Sequence, residues 1–547
     1  MSGPIFDLCD RYVSRNAALD PVAATFVGIP GHEGRGTDYG PEGSAARADE
    51  ARATLRALAG LQPADDADRL AGVHLRERLE AQLAWHDTGE WQRDLSAAFG
   101  RLNHVRDSVD LIDRAGPDGW RHVATRLAAI PAMLAGWRES LSLGVSDGLP
   151  AARRQAVEAA ATAEAYAAGT HTALVETYGD GVLRDDLAAA AAAAHGAYQA
   201  TADYMRHEYA PKAADADGVG AERHRVFRRR FLGADPDPVD AYEWGWAELH
   251  RIEAEMTREA HAIRAGATLD EVEAILNATE VVDGVEAYRD WLQGEHDAAI
   301  ARLDGVHFDI APPLRRVEVV LAPESGGAGI YYTGPSEDLS RPGRTWWSVA
   351  GRERFTVWEE LAIVFHEGVP GHHLQIGQAR VNRDRLSRFT RLTGVSAHSE
   401  GWALYAERLA DELGWYDRPG TRLGMLQGSA LRAARVVIDI GVHLDLPLPA
   451  DEARRYGSRW TFDVAAAVLR ERGRAAPHVV HSEITRYCGW PAQATAYKLG
   501  ERAWVAARAG AKARAGAGFD LKAWHTAALD LGPLGLSTFA DALRARV

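Results

Sequence analysis

Ten residues of this chain carry a recognisable chemical possibility: HEGVPGHHLQ, from His366 to Gln375. A histidine followed by a glutamate opens the zinc signature HExxH. In that signature two histidines four residues apart share a helix face, and the glutamate stands beside the first. Here the fourth residue after His366 is Pro370, which cannot bind a metal, and the next two histidines are His372 and His373. On a helix Glu367 lies about 100° round from His366. The imidazole can therefore hold a metal while the carboxylate addresses a water. A catalytic zinc needs three protein ligands and one open position. A second ligand from His372 or His373 can return to the metal only if the chain turns at Pro370-Gly371, a pair suited to a tight turn. The strongest candidate for the third is Glu400 in AHSEGWALYAERLADELGW, at the start of another apolar helix, with Glu407 two turns later on the same face.

The elements around these residues follow from pattern. Residues 1 to about 304 read as helix after helix, rich in Ala, Leu, Arg and Glu and punctuated by Pro and Gly; the alanine tract Ala188–Ala194 reads as the middle of one of them. Near residue 305 the character changes. RRVEVVLA (315–322), GIYYT (329–333) and RTWWSVA (344–350) carry strand signals and predict one small antiparallel β-sheet over 305–352, with RTWWSVA at its edge. From Glu353 the chain reads as helical to its end, and ERFTVWEELAIVFHEG is expected to be a buried helix that delivers His366.

Composition narrows the class. The 547 residues have a formal net charge of −15, from 62 basic and 77 acidic side chains, without the clustered basic face of a nucleic-acid binder. No apolar run reaches the roughly 18 residues of a membrane span, and the N-terminus lacks a secretory pattern. Two cysteines, Cys9 and Cys488, make a disulfide framework unexpected and suit a reducing cytoplasm. Nothing in the pattern specifies an oligomeric state.

HEGVPGHHLQ, SEGWALYAE (399–407) and YCGWPAQATAYKLG (487–500) together resemble the bacterial DUF885 family, whose members share a proline-glycine-interrupted HE-x-x-PGH motif; the likeness extends over essentially the whole chain. The resemblance implies a mainly α, two-lobed metallopeptidase-like shell around a deep channel, similar to the carboxypeptidase Taq, angiotensin-converting-enzyme and thimet-oligopeptidase groups. The whole of 1–547 would then be one helical domain. It implies His366, His372 and Glu400 as ligands of one zinc per chain, His372 being preferred over His373 because it directly follows Pro-Gly. Glu367 would be the general base. The expected reaction is hydrolysis of short peptides. A non-peptide amide as substrate, or an inactive helical binding protein, are the competing readings.

An oxyanion donor is expected beside the zinc, since related peptidases use a tyrosine or histidine there. The candidates are Tyr497, then His443, then Tyr487. Arg341 and Lys498 are candidates for gripping a substrate carboxylate, alongside Tyr487 in the substrate site. An exposed edge strand could pair with an extended peptide.

Overall fold

In the computed structural model, which describes residues 3–116, 118–322, 330–349 and 351–546, helices dominate and strands are few and short. Contacts divide the chain into two compact units. One is Met1–Arg230 with His481–Pro491, and the other is Phe231–Val480 with Ala492–Val547. No described helix is long and apolar enough to cross a membrane.

The first unit is helical. Its core is built on the helices Gly119–Ser146, Arg153–Ala167 and Arg184–Tyr204, which bury Leu127, Leu134, Trp137, Leu187 and Tyr198 together. The alanine tract lies inside Arg184–Tyr204 as expected. Ala190, Ala191 and Ala194 are buried there, their small side chains letting the helices meet closely.

The second unit carries the motif. Its strands are β1 (Val281–Asp283), β2 (Val317–Ala322), β3 (Tyr331–Thr333), β4 (Gly343–Ser348) and β5 (Arg354–Thr356). The sheet expected near 315–350 is present but mixed, not antiparallel. β2 runs parallel to β4 and β3 antiparallel to it, in the order β2-β4-β3. RTWWSVA is therefore the central strand and not the edge. Its alternating Gly343, Thr345 and Trp347 are buried while Arg344, Trp346 and Ser348 are less so, the pattern of a strand covered more on one face. The expected Gly329 and Ala350 ends lie outside the described residues.

A second correction concerns the approach to the motif. Arg354–Thr356 is not helical. It pairs antiparallel with β1, which the helical reading of residues 1–304 had missed. Phe355 is buried with its ring stacked on Tyr288, centroids 4.1 Å apart, so packing outweighs the helical spacing of the surrounding apolar residues. The motif helix starts only at Glu360 and ends at Glu367.

Two histidines six residues apart on an uninterrupted helix would sit about 9 Å apart along the axis and roughly 240° round from each other. The interruption removes that separation. The helix stops at Gly368, the Val369–Pro370 peptide is cis, and a new helix, His372–Val381, starts at once. The amide of Gly371 donates to Phe365 O (3.0 Å) and that of His373 to Gly368 O (3.0 Å), wider loops than an α-helix makes. Trp402 locks the turn: its indole N–H donates to Pro370 O at 2.7 Å and lies 3.2 Å from Gly371 O. Trp402 belongs to the helix Ser396–Glu412, which packs on the motif helix and, through Gly401 against Gly500, on the helix Ala496–Ala515. At Gly371 a Cβ would stand 2.0 Å from His366 O and 2.3 Å from Phe365 O, both backbone atoms. Gly371→Ala is accordingly expected to lower stability by about 3 kcal/mol or more, toward the upper end of overpacking costs. Thermal unfolding of the purified variant measures this, and an unchanged melting temperature would show that the turn is looser than described.

Candidate metal centre

The turn and the Ser396–Glu412 helix bring three ligand atoms to one point. Glu400 Oε2 lies 3.3 Å from His366 Nε2 and 3.6 Å from His372 Nε2, and the three donors all fall within 4.8 Å of one another. The two imidazole rings meet edge to face, centroids 4.8 Å apart and planes at 86°. His366 and His372 are buried and Glu400 retains some exposure on one side. Among the described residues no other group of histidine, cysteine and acid side chains converges in this way.

The protonation pattern tests whether a cation fits. His366 Nδ1 lies 2.7 Å from Glu407 Oε1 in a fully buried contact. An ionised carboxylate only accepts, so Nδ1–H donates and the Nε2 lone pair faces Glu400 Oε2. Two acceptors so close require a cation between them. Burial pushes the His366 imidazole down, but hydrogen bonding to Glu400 and Glu407 outweighs it and draws the ring up to about 9, so in the absence of metal a proton stands where a cation belongs. Burial also opposes ionisation of Glu400, yet the two imidazoles hold its carboxyl well below the usual range. Glu407 orients the His366 ring, the position an outer carboxylate takes behind a metal-binding histidine. The seven-residue spacing of Glu400 and Glu407 puts one carboxylate at each nitrogen of the same ring.

His373 cannot join the set. Its Nε2 lies 2.9 Å from Leu314 O and its Nδ1 3.0 Å from the Tyr332 hydroxyl. The carbonyl can only accept, so Nε2 carries the proton and Tyr332 donates to Nδ1. Both nitrogens are committed, and burial pushes the ring down to about 4. The choice between the two histidines, open in the residues alone, is decided by this pair of bonds.

Glu367 follows His366 and is buried. Burial first, and then Glu400, push its carboxyl up, against the pull of His366, His372 and Arg432. Arg432, on the long helix Thr421–Leu444, is a residue that the sequence reading missed. It is 8% exposed and, apart from this attraction to Glu367, makes no hydrogen bond or ion pair among the described residues. Glu407 had been noticed only for its spacing, and Tyr332 only as part of a strand. Helical spacing hinted at Glu407; no local signal distinguished Arg432 from the other arginines.

The remaining candidates are placed as follows. Tyr497 is half-buried at the start of Ala496–Ala515, with the Arg435 guanidinium 4.6 Å over its ring, one turn along from Arg432. His443 is buried on the same long helix, but roughly 16 Å further along its axis than Arg432. Lys498 is buried and neutralised, its Nζ 2.9 Å from Glu248 and paired also with Glu501, so its charge is spent inside the fold. Arg341 donates to Gly334 O at 2.9 Å and Pro342 O at 3.4 Å beside β4. Tyr487 belongs to the first unit, where its hydroxyl donates to Glu483 at 2.5 Å under Arg486.

Comparison with known proteins adds the following. The model of a family described as bacterial protein of unknown function, DUF885, matches residues 21–543. No curated protein matches. Among solved structures, a candidate lipoprotein from Colwellia psychrerythraea is similar at a TM-score of 0.85 and 21% identity, covering 99% of this chain and 98% of that one. A lipoprotein-like protein of unknown function from Shewanella oneidensis is similar at a TM-score of 0.75 and 16% identity, covering 99% and 100%. These likenesses are of fold.

Two outcomes are expected from metal analysis of purified protein. Alanine at His366, His372 or Glu400 should each lower zinc occupancy from about one per chain, whereas His373→Ala should keep zinc and lose stability, since Leu314 O and Tyr332 lose a buried partner. Glu407→Gln should weaken zinc binding by about 10–100-fold, as removal of such outer carboxylates does. Competition against a chelator with elemental analysis measures both. Unchanged affinity in Glu407→Gln would deny that residue its role.

Proposed function

The chain belongs to the DUF885 family, and from its site we propose that it is a zinc-dependent hydrolase that cleaves peptide bonds of short peptides, with one zinc per chain. The observation that carries this reading is the convergence of His366, His372 and Glu400 while Glu407 fixes the His366 tautomer. Two imidazoles and one carboxylate are the ligand chemistry of catalytic zinc. When bound there, zinc would acidify a water and polarise the scissile carbonyl.

The chain's own residues supply the rest. Glu367 touches none of the three ligand atoms through a bond and is held in a buried position that raises its affinity for a proton. It accepts the proton of the attacking water and passes it to the leaving amine, which expels a neutral product. Arg432 adds positive charge on the Glu367 side, where negative charge grows on the carbonyl oxygen. Tyr497, on the adjoining face, is assigned the role of hydroxyl donor to that oxygen. β3 is an edge strand among the described residues, and its Tyr332 ring lies 6.4 Å from that of His372, so an extended peptide could pair along it. Cytoplasmic residence is part of the same proposal, since the chain has only two cysteines, Cys9 and Cys488, too few for a disulfide framework. The lipoprotein description of the Colwellia relative would instead favour export, and cell fractionation separates the two.

Glu367→Gln keeps size and hydrogen-bonding capacity but removes the base. It should retain zinc and the fold and lose turnover by ~10²–10⁴-fold. Tyr497→Phe should lower kcat by ~10²–10³-fold with unchanged metal content. A screen of free and blocked dipeptides and tripeptides identifies the substrate for kcat/KM. Full activity in Glu367→Gln would sink the mechanism, and loss of zinc in that variant would make Glu367 a ligand.

A further inference from the structure

Arginine is rarely buried without an acid, because a desolvated guanidinium needs acceptors for its donors. The buried arginines of the described residues mostly obey this. Arg106 pairs with Asp107 and Asp110, Arg486 with Glu483, and Arg126 donates to Pro21 O, Thr25 Oγ1 and His32 O. Arg228 and Arg435 are also partnered. Arg432 faces Glu367. Arg380 differs. It is 7% exposed, among the described residues it makes no hydrogen bond or ion pair, and its Nε and Nη1 are buried with no acceptor there.

Its surroundings make this worse. The charged neighbours that it senses are Glu337, Arg391 and Arg341, with the Tyr332 phenol. Glu337 is already held by Arg388 through a two-pronged contact at 2.7 and 3.0 Å. Arg341 and Arg391 add like charge. Burial, partly offset by Glu337, pushes the Arg380 guanidinium down to about 10. The cluster holds more positive charge than its acid can balance, around two donors that point at nothing.

The cluster adjoins the metal centre. Arg380 lies eight residues beyond His372 on one helix, about 12 Å along the axis. Long side chains on a helix lean toward its N-terminus, which here is the His372 end. Tyr332 stands between: its hydroxyl bonds His373, its ring neighbours His372, and its phenol is within electrostatic reach of Arg380, Arg341 and Glu367. An extended chain advances ~3.3–3.6 Å per residue, so three or four residues bridge the distance.

We propose that Arg380 is the anion-binding end of the substrate site and takes the free C-terminal carboxylate of a peptide whose scissile bond, three or four residues earlier, lies at His366, His372 and Glu400. The proposal rests on the peptidase reading and narrows it to removal of tripeptides or tetrapeptides from the C-terminus. The carboxylate is the missing partner: a planar anion accepts two parallel bonds from the guanidinium fork.

The test uses full-length, zinc-loaded protein carrying Glu367→Gln, so that bound peptide is not consumed. Calorimetry compares a tetrapeptide free acid, its C-terminal amide, and an amide ending in Asp. The free acid should bind ~10–100-fold tighter than the amide, and Arg380→Met should collapse that ratio, with Arg380→Lys restoring part of it. Arg380→Met should also unfold at the same or a higher temperature, because a buried charge lacking its ligand is removed; an arginine with a structural role would lower it. Equal binding of acid and amide in the parent, or a ratio that survives Arg380→Met, overturns the proposal. Tight binding of the Asp-ended amide overturns the terminal assignment, since the carboxylate would then come from a side chain. Hydrolysis is measured separately in the Glu367-containing protein. A preference for the free acid without hydrolysis supports Arg380 and fails the peptidase reading; hydrolysis without preference does the reverse.

Discussion

The hydrogen bond from the Trp402 indole to the carbonyl of Pro370 is the contact on which the site depends. Two histidines six residues apart do not share a helix face, so their meeting requires a break whose geometry is held from outside. The break is held by the helix that also supplies Glu400, two residues before Trp402. One element therefore sets the turn and delivers Glu400. Any shift of that helix would move the carboxylate and the second histidine together, which keeps the three donor atoms in register. Gly371 allows the turn to close onto the end of the preceding helix, and Gly401 against Gly500 braces the helix from behind.

Burial then sorts the charges. His366 is gripped at both nitrogens by carboxylates, and His373, one residue from His372, is neutralised as a structural group by a carbonyl and a phenol. Lys498 is enclosed with Glu248 and Glu501. Each of these is satisfied inside the protein. The guanidinium groups of Arg432 and Arg380 have no hydrogen bond or ion pair among the described residues. Unsatisfied polar groups in a buried setting are costly, and these two stand within electrostatic reach of Glu367 and Tyr332 respectively.

The sheet has a positional role rather than a structural bulk. β4 in its centre buries Trp347 and places Thr345 on His296, while β3 at its edge brings Tyr332 to His372 and His373.

The residues by themselves determined the helical class and the presence of a small sheet near 315–350, and they picked out His366, His372 and Glu400 as a group, because hydrophobic period and the His-Glu pairing are local properties of the chain. They also marked the Pro370-Gly371 break, since proline and glycine impose backbone geometry wherever they stand. Tertiary structure alone decided the rest. Whether His372 or His373 could ligate depended on Leu314 and Tyr332, distant in sequence. Whether Arg354–Thr356 was helix or strand depended on a partner at Val281–Asp283 and on the ring of Tyr288. Lys498 could be read as a free cation until Glu248, some 250 residues earlier, was seen to neutralise it. Arg432 and Arg380 were two arginines among many, because an arginine's meaning lies in whether an acid reaches it, and that is a property of the folded interior.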